Sequence, residues 1–520
     1  MNFWIRVNIL SLIGTHMSKV LSKPVTAIIT IICISLTLRI YFTAWNLPTN
    51  SSDSLLFMIE GLQYSKGDFS NVSNRPLWPL FLSFFFLVFR FENNLEYMNL
   101  VRVVAIMVSL ATIPVVYLIS KKYVTEKYAI LAALFFAIEP NLIENAIFGM
   151  TEPLFILLGT LSFYFIIQKN QKYQLLSFIF AGLAFDTRLN GITLIILLII
   201  SLIINRNQVK KQSLFYGVLI FLVLIFPAHF LVPIQHGFAP FPIIEQIGTI
   251  VVHGTTTYST DISNPTTNLL ILNAIKNELS HILRISMPFL IMLVPYGIIL
   301  ALKNNNYKNK ILFLVIIISL IIAIPQYTVS NEYRNLFFII PFLCIFSAIA
   351  FEKLTEKIDL KNIFLVLLIL GLILISTNFL RERYSIDEEY FIEKDNFGKY
   401  VANNLDGNIT GNIRLEIIRN MADLKSTTYF FNEKLSLFDP GFPIDSVSKL
   451  MNYCIQNKID YMIIEQKKVE KHFTVFNKIE FNEDNLPFLK EIYDTEKLDY
   501  KKLKVKIFKI NYEEYQDSLN

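Results

Sequence analysis

Residues 101–170 read VRVVAIMVSLATIPVVYLISKKYVTEKYAILAALFFAIEPNLIENAIFGMTEPLFILLGTLSFYFIIQKN. The stretch holds three apolar runs, 101–120, 127–143 and 152–168, each near the ~20 residues a helix needs to cross a bilayer. The links between them differ in charge. Lys121, Lys122 and Lys127 join the first run to the second, while Glu139, Glu144 and Glu152 lie around the next join. Lys169 follows the third. Lys and Arg collect in short cytoplasmic loops, so this alternation is that of a chain crossing a membrane back and forth.

The pattern extends in both directions. Further apolar runs lie at 25–45, 213–233, 286–302, 309–327, 333–350 and 362–379, with tighter ones at 173–187 and 189–205, giving about 11 spans. Composition agrees: of 520 residues, 53% are hydrophobic and 17% charged, and the mean hydropathy is +0.48. A soluble chain carries roughly 25% charge. Basic clusters recur at Lys172, at Arg206 with Lys210 and Lys211, at Lys303 with Lys308 and Lys310, and at Lys353 with Lys357 and Lys361. Arg6, Lys19 and Lys23 flank the first run. They fall on every second loop only if the short apolar stretch 77–91 does not span, so it is read as a helix in or dipping into the outer leaflet. The N-terminus is then cytoplasmic, and segments 46–100, 139–152, 186–190, 234–285, 328–333 and 380–520 face outward. Residues 1–23 lack a small-residue cleavage site and read as a cytoplasmic lead into an uncleaved anchor, with Met17 an alternative start.

Charge also divides the chain. Residues 380–520 hold 21 Lys and Arg against 25 Asp and Glu, and the remainder holds 26 against 17. The basic excess therefore belongs to membrane orientation, and no nucleic-acid motif accompanies it. With three cysteines, two of them (Cys33 and Cys344) in apolar runs and Cys454 alone in the tail, neither a disulfide framework nor a zinc site is on offer. In the tail, 394–404 and 446–457 read as helices and 459–465 and 504–510 as strands, which suggests a small α/β domain over 381–520.

The residues able to do chemistry gather at the outer ends of the spans. Asp53 follows the first run; it suits a helix N-cap, and equally a base at the bilayer surface. Glu60 lies two helical turns on, on the same face if the segment is helical. Arg75 precedes Pro76, Arg102 opens a span from outside and Arg334 opens another. Each either snorkels to headgroups or grips a phosphate. Glu152 opens its span ahead of Pro153, either as a first-turn acid or as a functional group at membrane depth. Asp186 and Arg188 sit in a tight turn, as a mutual ion pair or with Arg188 as a lipid-phosphate anchor. His236, His253 and His281 fit no metal spacing. Asn50, Asn71 and Asn408 head sequons on the outer side.

The ordered series of a first span, Asp53, NRPLWPLF (74–81), Arg102, TEPLFILLGTLSFYFI (151–166), AGLAFDTRLNGITLI (181–195) and YRNLFFIIPFL (333–343) resembles the GT-C superfamily of membrane glycosyltransferases. More narrowly, it is similar to the protein O-mannosyltransferase and lipid A aminoarabinose transferase branch, over about residues 25–380. The resemblance implies a polytopic α-helical GT-C-like domain over 24–380, with outer loops 46–100 and 234–285, followed by an extracytoplasmic α/β domain. It implies transfer of a sugar from a polyprenyl-phosphate donor to a protein, lipid or glycan acceptor, with membrane lipids around and no nucleic acid. Asp53 would then match the presumed base, and Glu152 the acidic residue heading the fourth span. Arg75 and Arg188 would lie near the donor and its phosphate, Arg102 would match a required arginine, and His253 a loop histidine. Asp53 is followed by Ser where mannosyltransferases have Asp-Glu, which leaves sugar and acceptor open. Arg75, Arg188 and Arg334 can stabilise a leaving phosphate without a metal; alternatively Asp53 and Glu152 would hold Mg²⁺ or Mn²⁺. The rival readings are a transporter, which would carry charge in mid-span, and a non-catalytic scaffold. The Lys-, Asn- and Ile-rich composition points to a prokaryotic plasma membrane.

Overall fold

The computed structural model describes residues 23–47, 52–69, 76–168, 170–204, 211–228, 267–286, 293–304, 306–329, 332–356, 362–411, 446–465, 479 and 486–519. Each of the eleven apolar runs carries helix where it is described. Local sequence sets many of the starts. Asn93 accepts from Glu96 N at 2.9 Å and caps Asn94–Ser120, while Pro24, Pro140 and Pro153 occupy first-turn positions, where a missing N–H goes unfelt. Among the described residues four helices are long and apolar enough to cross a membrane: Pro24–Phe42, Asn94–Ser120, Tyr307–Tyr327 and Tyr333–Thr355. Five shorter apolar helices accompany them.

The run 127–143 is not one straight helix. It divides into Glu126–Ala137 and Pro140–Ile147, bent by 49°. Pro140 drives Glu139 into extended backbone, which leaves buried carbonyls and amides needing partners. Arg39 and Ser35 of the first helix donate to Ala137 O at 3.1 and 2.7 Å, and Ser376 donates to Ile138 O at 2.5 Å. The Glu139 carboxylate takes Leu142 N at 2.7 Å. Arg39 is fully buried and also reaches Ser109 Oγ at 2.9 Å. The break is thus built by an arginine hidden inside an apolar run.

The stretch 77–91 contains the helix Leu77–Val88, which packs on Ser52–Ser65. Gly61 allows the approach, since a Cβ there would stand 2.9 Å from the Phe86 ring and 3.1 Å from Pro79 O. Trp78, Leu82 and Phe86 are buried, while Phe84, Leu87 and Val88 face out.

Sequence reading ends the last span near 379 and starts a separate helix at 394. The structure instead has one helix, Asn362–Asn404, 43 residues long. No Gly or Pro falls between Gly371 and Gly398, so nothing stops propagation as the sequence turns polar. Its far half belongs to the tail's core. Four strands, β1 (Asn408–Gly411), β2 (Ile459–Glu465), β3 (Leu489–Asp494) and β4 (Val505–Ile510), form a sheet in the order β1-β2-β4-β3, with β1 parallel to β2 and the other pairs antiparallel. Period-two alternation sends Ile463, Val505 and Ile507 to one face against Phe397 and Val401 of the long helix. Met462, Ile464 and Phe508 go to the other, against Leu450, Met451 and Cys454 of Val447–Gln456. The Glu393 carboxylate fastens helix to sheet by accepting Lys501 N, Lys502 N and Leu503 N at 2.7, 2.8 and 2.7 Å. β1 and β3 escape the sequence reading, which names only β2 and β4.

Candidate active site

Four residues named from sequence converge, each from a different element. Asp53 lies in the first turn of Ser52–Ser65 and Glu152 in the first turn of Glu152–Ile166. Arg188 caps the helix Gln171–Thr187 in extended backbone, followed by the 3-10 turn Leu189–Gly191. That turn is tight: a Cβ on Gly191 would stand 2.6 Å from Phe185 backbone. Arg334 lies in the 3-10 segment Tyr333–Ile339.

Arg334 Nη2 donates to Asp53 Oδ2 at 2.5 Å, and its Nε donates to Glu332 Oε2 at 2.7 Å and stands 3.9 Å from Glu152 Oε1. Arg188 Nη1 is ion-paired with Glu152 Oε1 and lies 3.4 Å from Thr151 Oγ1, while its Nη2 donates to Asn335 Oδ1 at 3.1 Å. Asn190 Nδ2 donates to Asn335 O at 3.2 Å, and Gln326 donates to Asn190 Oδ1. Exposure grades across the network. The Asp53 side chain is 31% exposed and Arg334 20%, while Arg188 is 7% and Glu152 1%. The result is a polar rod, open at Asp53 and closed at Glu152, capped inward by amides. Those amides (Asn190, Asn335 and Gln326) give no charge signal in the sequence, although each lies within two residues of Arg188, Arg334 or Pro325.

Arg102 stands apart from this network. Its guanidinium donates to Ala44 O and Leu47 O at 2.9 Å each and to Asn99 Oδ1 at 2.7 Å, and the residue is 2% exposed. It fixes the exit of the first span, just upstream of Asp53. Glu60 is half-buried two turns along the Asp53 helix. Glu144 pairs with Arg383 of the long helix, which also donates to Asn141 Oδ1 at 3.2 Å. Arg75 and His253 lie outside the described residues, as do His236, Asn50 and Asn71.

The guanidinium of Arg334 bonds Asp53 and lies within 3.9 Å of Glu152. An arginine between the two carboxylates is a poor fit to a shared Mg²⁺ or Mn²⁺ site, which wants several converging oxygens. Among the described residues no three His, Cys, Asp or Glu side chains cluster as metal ligands.

The fold itself recurs in known proteins. The profile of a family described as dolichyl-phosphate-mannose-protein mannosyltransferase matches residues 73–230. Comparison with the curated proteins finds no match. ArnT from Cupriavidus metallidurans, solved bound to undecaprenyl phosphate, superposes with a TM-score of 0.56 at 11% identity, over 92% of this chain and 97% of that one. The Archaeoglobus fulgidus oligosaccharyltransferase in its apo form gives 0.56 at 11% identity, over 85% and 69%. The archaeal oligosaccharyltransferase AglB from the same organism, solved with an inhibitory peptide and a dolichol-phosphate, gives 0.55 at 10% identity, over 85% and 69%. The chain therefore has the fold of these structures, the GT-C fold. Its stretch 73–230 is similar to the mannosyltransferase family.

Proposed function

We propose that the protein transfers a sugar from a polyprenyl-phosphate donor to an acceptor at the outer face of a prokaryotic plasma membrane, using the Asp53–Arg334–Glu152–Arg188 network. The observation that carries this reading is the convergence of two carboxylates and two guanidiniums, from four separate stretches, in a GT-C fold. Two structures of that fold hold a polyprenyl phosphate. Such a donor anchors its tail in lipid and its phosphate at the interface, where this network's open end would lie.

Asp53, at the exposed end, takes the proton from the acceptor hydroxyl or amine as that atom attacks the anomeric carbon. The bond from that carbon to the phosphate oxygen breaks, and the departing phosphate keeps its electron pair. Guanidiniums are suited to receive it. Arg188 and Arg334 are already engaged by Glu152, Glu332 and Asp53, so a phosphate must compete with those carboxylates. That competition favours the more highly charged leaving monoester over the singly charged donor diester, which is the discrimination catalysis needs. Arg75, in the first outer loop, would supply a further cation, and His253 a contact in the loop 234–285. Arg102 acts as a positioning residue through the Ala44–Leu47 turn. Glu60 lines the approach along the Asp53 helix. The acceptor is a protein, lipid or glycan, and the 381–520 domain lies on the same outer side.

The test is release of polyprenyl phosphate and transfer of label from a radiolabelled membrane lipid extract by purified full-length protein, with and without EDTA. Transfer that survives EDTA supports the reading with arginines as the electrophilic groups. Transfer abolished by EDTA and restored by Mg²⁺ or Mn²⁺ would replace them with a metal. A folded protein that releases no polyprenyl phosphate from any fraction would overturn the transferase reading in favour of a transporter or scaffold.

A further inference from the structure

The helix Thr267–Ser286 lies beside the ion-pair network and packs along Tyr307–Val329 and the Tyr333–Ile339 segment. Glu278 and His281 are three positions apart on it and so share one face. The His281 ring stacks on Tyr327, with centroids 5.3 Å apart, and faces Tyr333 at 6.2 Å. Tyr333 immediately precedes Arg334, and Tyr327 immediately follows Gln326, whose amide reaches Asn190. The patch thus touches the network at two points.

Glu278 Oε1 and the Tyr327 hydroxyl are both buried without a hydrogen-bond partner among the described residues. The two residues are 5% and 4% exposed. Native proteins leave few buried polar atoms unpaired, and here two of complementary type are neighbours: a carboxylate that accepts and a phenol that donates or accepts. Burial pushes the Glu278 carboxyl up to about 7, the direction expected of a carboxylate with no cation close by. Arg284 lies over the Tyr333 ring at 4.0 Å, which disfavours a cationic ligand there, and Glu278 disfavours an anionic one. What remains is a neutral molecule bearing adjacent hydroxyls beside an apolar C–H face that lies flat on aromatic rings. A sugar ring has that chemistry.

We propose that Glu278, Tyr327 and His281 form a sugar-hydroxyl subsite one residue away from Arg334, occupied by the ring of the donor or by a saccharide acceptor. The assignment of a sugar rests on the transferase reading above, but binding can be measured without turnover.

Full-length wild type, Glu278→Met, Glu278→Gln, Tyr327→Phe and Asp53→Asn are placed in lipid nanodiscs. Saturation-transfer NMR is run with methyl mannoside, methyl glucoside and methyl galactoside. Wild type and Asp53→Asn saturate the ring protons of at least one hexoside. Glu278→Met and Tyr327→Phe weaken that signal about tenfold, and Glu278→Gln, which keeps one acceptor oxygen, weakens it less. Thermal unfolding of each variant at or above the wild-type temperature separates lost binding from lost fold. With polyprenyl-phosphate mannose and glucose as donors, a donor KM raised by Glu278→Gln with little change in kcat puts the donor ring in the subsite. A rise confined to the acceptor KM puts the acceptor there. No hexoside signal in wild type, or equal signals in all five proteins, overturns the subsite. Signal lost in Glu278→Met while no protein releases polyprenyl phosphate leaves the subsite standing and removes the transferase reading.

Discussion

Replacing Glu152 by Gln strands a guanidinium in the protein interior. Arg188 would keep Asn335 Oδ1 at 3.1 Å and Thr151 Oγ1 at 3.4 Å, both neutral, and Arg334 would lose its second carboxylate at 3.9 Å while keeping Asp53 and Glu332. With the pair's side chains only 1% and 7% exposed, water cannot make up the loss. Removing one partner of a buried pair costs ~3–5 kcal/mol, because the remaining charge is left without compensation. Arg188→Met should cost as much for the mirror-image reason. The double variant, Glu152→Gln with Arg188→Met, removes both charges and should recover most of that loss. The assay is the rate of thermal unfolding in detergent, followed by loss of the folded monodisperse peak. Both singles should unfold faster and the double should return toward wild type, a coupling that a double-mutant cycle isolates. Sugar transfer should stay low in all three, since neither charge is left for chemistry in the double. A double variant as unstable as the two singles combined would refute the coupling. A double that transfers at the wild-type rate would make the pair structural only.

Three further outcomes follow from the geometry. Arg102→Lys should lose about 2 kcal/mol of stability and lower transfer through a displaced Asp53, because an ammonium cannot span Ala44 O, Leu47 O and Asn99 together; unchanged melting and kinetics would contradict this. Glu278 is raised from 4.5 to about 7 by burial, so the native state binds its proton more tightly than the unfolded chain. Its penalty is absent below about pH 4.5 and grows as pH rises toward 7, so Glu278→Gln should gain stability over wild type at pH 8 but not at pH 4.5, and a parallel pair of pH–stability curves would refute it. Glu393→Gln should cost ~1–3 kcal/mol at the 501–503 loop and make residues 381–520 more protease-sensitive, with the membrane helices unaffected; equal digestion rates would deny that Glu393 fastens the sheet.

The membrane helices were readable because ~20 apolar residues is a signal that little else mimics. Asp53, Glu152, Arg188 and Arg334 were readable for a related reason: ionisable groups at span ends stand out against so apolar a chain. Arg39 also ends its span, in the last turn of Pro24–Phe42, but its structural role is not legible because its partners at Ala137 and Ser109 come only from tertiary structure. Asn190, Asn335 and Gln326 escape a reading of the sequence because neutral amides carry no charge signal, although Asn335 holds Arg188 and the other two brace Asn335. The length of Asn362–Asn404 is hidden because the sequence turns polar within the stretch between Gly371 and Gly398, where neither Gly nor Pro stops the helix. β1 is only four residues ending in Gly411, and in β3 Lys490 and Glu491 blur the alternation that exposed β2 and β4.

The proposed mechanism turns on Asp53 deprotonating an acceptor while a polyprenyl phosphate leaves. Its most direct test compares purified wild type and Asp53→Asn, equally folded and equally able to bind the lipid-linked donor, for transfer of labelled sugar. Asparagine keeps the size of aspartate and much of its capping ability, while losing the charge that both the base and the Arg334 pair require. The account predicts transfer by wild type and a loss of at least about a hundredfold in Asp53→Asn, the range that general bases supply. Equal transfer by the two proteins would contradict it, reduce Asp53 to a helix cap, and move the search for the base to Glu152.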